Sequence, residues 1–93
     1  MIVSKRREAE YARFLKVKEG YREIEKADEG KRVGVLYVKT VGSGYNRHFV
    51  GYSEAVADVN AVGEVFCDAY LIDERRPLRF ARGNGRLWVW NGI

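Results

Sequence analysis

The segment Glu64–Ile72 places the tightest constraint on the fold. Val65, Cys67, Ala69 and Leu71 alternate with Phe66 and Tyr70, so an extended chain here carries apolar side chains on both faces. A half-buried strand would alternate apolar with polar instead. A sheet built around such a segment must be covered on two sides, close into a small barrel, or pair with a second copy of itself.

Covering layers can come from other segments. Residues 5–27 read most easily as a helix, with Tyr11, Phe14, Val17, Tyr21 and Ile24 recurring at three and four residues. Ser4 suits its N-cap, Glu8 and Glu10 the positive end of its dipole, and Gly30 its stop. Gly20 weakens the pattern and leaves open a split, with Tyr21–Ile24 extended. Val33–Val41 is rich in β-branched and aromatic residues and reads as a strand. Gly42-Ser43-Gly44 makes a turn and Asn46–Tyr52 a second strand. Ser53 then looks like the N-cap of a short helix over Glu54–Ala61. Glu64–Ile72 follows as a third strand, and Asp73–Pro77 as a loop. Leu78–Arg82 and Arg86–Trp90 read as a closing hairpin around Gly83-Asn84-Gly85. The expected class is α+β: an N-terminal helix and a mainly antiparallel sheet of about five strands, with one short helix between the second and third. A small barrel and a homodimer stay open as ways to cover both faces.

Ninety-three residues suit one domain, with residues 1–32 as a basic helical segment and 33–93 as the sheet. At 46% hydrophobic residues the chain can build a core without disulfides or metal. No apolar run follows Met1-Ile2-Val3, so neither a signal peptide nor a membrane span is expected. With Cys67 as the one cysteine, a cytoplasmic location is the default. Glutamine is absent and threonine occurs once, a bias seen in thermophile proteins and also produced by genomic base composition.

Candidate chemistry is sparse. A metal site needs several converging ligands, whereas His48 and Cys67 are alone of their kinds. Cys67 lies among apolar neighbours, as a small buried hydrophobe does, and His48 is the one base available to it. Gly42-Ser43-Gly44 lacks the Gly-Lys-Ser/Thr ending of a phosphate loop and reads as a turn. No catalytic residue, metal or cofactor is assigned, and binding is expected rather than catalysis.

The charge of +4 is unevenly spread. Residues 1–32 are net +3, but their cations Lys5, Arg6, Arg13, Lys16, Arg22 and Lys26 are interleaved with glutamates, as on a solvated face. Residues 33–74 are net −4, whereas 75–86 hold Arg75, Arg76, Arg79, Arg82 and Arg86 with no acid. Trp88 and Trp90 follow on one side of their strand. Arginine forks bind phosphates and stack on rings, and exposed tryptophans stack on bases. The register of the hairpin decides whether those tryptophans face solvent with Arg79 and Arg86 or join the core with Phe80 and Leu78. The leading expectation is nucleic-acid binding through Arg75, Arg76, Arg79, Arg82, Arg86, Trp88 and Trp90. A protein-binding inhibitor or accessory factor of viral or mobile-element type is the alternative, since Trp, Tyr and Arg dominate hot spots. A small toxin-like ribonuclease is a third reading.

Overall fold

A computed structural model describes residues 1–83 and 86–91. A 3-10 turn over Lys5–Arg7 leads into helix α1, Glu8–Lys18. The strands are β1 (Tyr21–Arg22), β2 (Arg32–Val41), β3 (His48–Val62), β4 (Phe66–Leu71), β5 (Arg76–Ala81) and β6 (Leu87–Trp90). Among the described residues they form one antiparallel sheet in the order β1-β6-β2-β3-β4-β5. The class is α+β, and the sheet does not close into a barrel. Within those residues no helix is long and apolar enough to cross a membrane.

The sheet separates two apolar clusters. On its inner face Val35, Ala57, Val59, Cys67, Ala69 and Leu71 meet Leu78 and Phe80 of β5, Leu87 and Val89 of β6, and Ile24. Strands β5 and β6 are four places apart in the sheet, so sharing one cluster requires the sheet to bend around it. On the outer face Leu36, Val38, Phe49 and Trp88 pack under Phe14 of α1, with Tyr11, Val17, Tyr21 and Tyr52 at the margin. Phe14 touches four other aromatic rings, with centroids 5.5–5.9 Å away.

Three expectations need correction. The helix ends at Lys18 rather than running to residue 27, and Tyr21–Arg22 pairs with β6. Gly20 is where the chain leaves the helix, and a Cβ there would lie 3.0 Å from the Trp90 ring. The short helix over Glu54–Ala61 is instead the second half of β3, paired with β2 from Val35↔Ala55 to Arg32↔Asp58. Ala55, Ala57 and Val59 alternate with Glu54, Val56 and Asp58, a period of two that satisfies the partner strand better than an isolated helical turn could. Finally, Leu78–Arg82 and Arg86–Trp90 are not a hairpin. β5 pairs with β4, while β6 inserts between β1 and β2. Burying Leu87 and Val89 on the inner face outweighs the local turn signal. Asn84 and Gly85 themselves lie outside the described residues.

The turn from β4 to β5 holds Arg75 at φ 50°, a left-handed conformation that a side chain disfavours. Arg75→Gly is expected to raise stability by about 0.5–1 kcal/mol, after allowing for the greater freedom glycine gives the unfolded chain. A urea midpoint at or below that of the parent would contradict it.

Candidate binding face

Helix α1 covers the outer face of the sheet over Trp88 of β6 and the adjoining parts of β2 and β3. Beyond it the same face is bare. Register builds that bare region in rows. Val35 pairs with Val89, which sets Trp90 beside Gly34, and Gly34 pairs with Val56. The next row runs Arg32, Asp58, Tyr70, Pro77 across β2 to β5. The last sets Asp68 opposite Arg79 and Phe66 opposite Ala81. Val56, Phe66, Tyr70 and Trp90 all point outward and are exposed, Phe66 by 46% and Trp90 by 49%. The inward residues Cys67, Ala69 and Leu71 of β4 are buried. The doubly apolar strand seen in the sequence is therefore real, with one face covered and the other uncovered.

Charges on this face are matched locally. Arg32 donates to both carboxylate oxygens of Asp58 at 2.8 and 3.2 Å, which holds that carboxyl below its usual range. Arg79 lies 3.7 Å from Asp68 and stacks over the Phe66 ring at 4.6 Å. At one margin Trp90 meets Tyr21 edge-on at 5.2 Å, and the Tyr21 hydroxyl donates to Glu54 at 3.0 Å. Burial, reinforced by that carboxylate, pushes the phenol up to about 12. The surface is thus apolar and aromatic, set with paired charges.

The seven sequence-predicted residues do not assemble as one site. Arg79 and Trp90 lie on the bare face. Trp88 points the same way but is 7% exposed, sealed by Phe14 and by Lys18, whose ammonium sits 4.7 Å above the indole. Arg76 donates to the Tyr37 hydroxyl at 2.8 Å and to Glu74 at 2.8 Å. Arg86 approaches the same hydroxyl at 3.5 Å. These two arginines link the start of β5 to the residue before β6 through one phenol of β2. Arg82 closes the other end, donating to the carbonyls of Gly63 and Ile24. Arg75 is exposed in its turn. Three arginines of the segment thus tie the bent sheet across its open seam.

Sequence reasoning missed Val56 and Asp58 as members of the face because a helix was expected over Glu54–Ala61, and Arg32 because it was assigned to the basic segment 1–32 rather than to β2. The alternation through those residues was the available signal. Cys67 is fully buried on the inner face, and burial pushes its thiol up, away from nucleophilic behaviour. His48 is exposed at the start of β3. Compared with known proteins, the chain matches no family model, no curated relative and no solved structure.

Proposed function

We propose that this chain is a protein-binding module that docks its partner on the bare outer face of β3, β4 and β5. The observation that carries this reading is the grouping of Val56, Phe66, Tyr70 and Trp90 on one side of the sheet, next to the part that α1 already covers. Large apolar side chains exposed together on one face, set among polar residues, mark interaction sites. Phe66 under the Arg79 guanidinium has the makeup of an interface hot spot.

Nucleic acid is the less favoured occupant of this face. Its rings could stack bases, but Arg32 and Arg79 sit against aspartates rather than facing outward for phosphates. The free edge of β5 is also a poor template for strand addition. Pro77 lacks a donor there and the arginines on either side are bulky and charged.

A photoreactive side chain at position 70, introduced in the source cell, tests the proposal. The expected result is one discrete protein adduct, either a second copy of this chain or another protein, that disappears in Phe66→Glu. The same probe at position 15, on the exposed side of α1, should give no such adduct. A nucleic-acid adduct at position 70, or equal labelling from both positions, would overturn the assignment.

A further inference from the structure

A second surface lies on the far side of α1 from the sheet. Phe14, Tyr11 and Val17 point down into the outer cluster, so the exposed arc of the helix is fixed by its periodicity. Ala9, Arg13 and Lys16 recur at four and three residues along one flank of that arc, Arg6 precedes them in the 3-10 turn, and all four are exposed. Lys5 stands beside them at the start of the helix. Glu8 and Glu19 fall on the opposite flank with Leu15, so the interleaving of charge in the sequence separates into two stripes in space.

The cations of this stripe are not used by the fold. Among the described residues, the side chains of Lys5, Arg6 and Arg13 make no hydrogen bond, ion pair or ring contact. Lys16 has only a solvated contact with Glu19 at 3.7 Å. Arg7 is the contrast, since it turns under the helix to the Val50 carbonyl at 2.7 Å and pairs with Glu10. Lys5 and Arg6 also sit at the positive end of the helix dipole, where cations are disfavoured. An arrangement that works against local stability and concentrates positive potential fits an anionic ligand. Ala9, in the middle of the stripe, lets the helix backbone come close to that ligand.

We infer that Arg13 and Lys16 of α1, with Lys5 and Arg6 of the turn leading into it, bind the phosphate backbone of double-stranded DNA, without sequence preference. Within α1 the stripe runs about 10 Å along the axis from residue 9 to residue 16, and a helix fits within the major groove of B-form DNA. A membrane surface is the poorer occupant, because an interfacial helix inserts an apolar face and that of α1 is already buried on the sheet. The stripe is separate from the bare sheet face, because it lies on the helix that covers the neighbouring part of the outer face.

Fluorescence anisotropy of the whole chain with a labelled 20-base-pair DNA duplex, from 50 to 200 mM salt, tests this. Three or four phosphate contacts predict an affinity falling about 40- to 150-fold over that range. Arg6→Ala/Arg13→Ala/Lys16→Ala should abolish binding, and Arg6→Lys/Arg13→Lys/Lys16→Arg should restore most of it. Ala9→Glu should weaken binding by at least tenfold with every cation in place, which keeps the test available if the triple variant does not fold. Phe66→Glu, which disables the sheet face, should leave the duplex affinity unchanged. No binding at 50 mM salt, a triple variant that binds like the parent, or binding to anionic vesicles but not to the duplex would each overturn the inference.

Discussion

Phe14→Ala is expected to cost about 4 kcal/mol of folding stability, the largest effect of any single truncation proposed for this chain. Phe14 is 2% exposed, and its ring is shared by Tyr11, Phe49, Tyr52 and Trp88. These contacts are most of what holds a helix of three turns on the sheet, and a helix that short is marginal alone. Removing the ring leaves a cavity lined by aromatic side chains that cannot collapse into it, because Phe49 and Trp88 are fixed on paired strands. A domain of this size has a total stability of roughly 5–14 kcal/mol, so much of it would be lost. Urea unfolding followed by tryptophan fluorescence reads the change, and Trp88 emission should shift to the red in the native baseline as its cover loosens. Leu15→Ala, one residue along and exposed, is the control and should stay within about 0.5 kcal/mol. A Phe14→Ala variant within about 1 kcal/mol of the parent would show that α1 is not held through this ring.

Asp28→Ala is expected to cost about 3 kcal/mol through a different mechanism. Asp28 is 4% exposed and accepts from both terminal nitrogens of Arg22, at 2.8 and 2.9 Å, and from the Glu25 amide at 2.8 Å. It forms a reciprocal cap with Glu25 on the 3-10 turn Lys26–Asp28, and that turn is stitched to β3 through Gly30 and Lys31. Deleting the carboxylate removes the ion pair of the Arg22 guanidinium, which keeps its bond to the Glu23 carbonyl at 3.1 Å, and takes the acceptor from the Glu25 amide. Breaking a buried pair costs about 3–5 kcal/mol, and the partial exposure of Arg22 puts this one at the low end. The Arg22 hydrogen bonds hold the Asp28 carboxyl below its usual range against the opposing effect of burial. A lowered folded-state pKa means that the stabilisation is complete above the unfolded value of about 3.9 and is lost as pH falls through the folded one. Asp28→Asn should therefore flatten the acid limb of a stability–pH curve while keeping the turn's shape. An acid limb identical to the parent's would show that Asp28 does not carry it.

The parts of this fold legible in the sequence are those where local pattern and tertiary demand agree. The strand around Val33–Val41 and the alternation of Cys67, Ala69 and Leu71 against Phe66 and Tyr70 could be read directly, and so could the turn at Gly42-Ser43-Gly44. Glu54–Ala61 could not, because a plausible N-cap and a few helix formers outweighed an alternation that only a neighbouring strand makes meaningful. The Arg/Trp segment failed for a related reason. Five arginines in a row of twelve residues read as a patch, yet Arg76, Arg82 and Arg86 turn toward Tyr37, Gly63 and Ile24, partners between 19 and 58 positions away in sequence. In the first helix the opposite held. Its charges looked mutually neutralised in the linear sequence, and only the direction of Phe14 showed that they divide between two flanks.

The position of β6 has a consequence for how the chain is made. Its residues pair with β1 on one side and β2 on the other, so among the described residues β1 joins the sheet through a strand that is made late. Until Trp90 has left the ribosome, α1 lacks the Trp88 side chain beneath it and Tyr21–Arg22 has no strand to pair with. The β2–β3–β4–β5 meander can form from local contacts during synthesis, but its outer face stays open for that whole interval. Nascent chains stalled before residue 87 should therefore expose both halves of that face and be the form most prone to capture by chaperones.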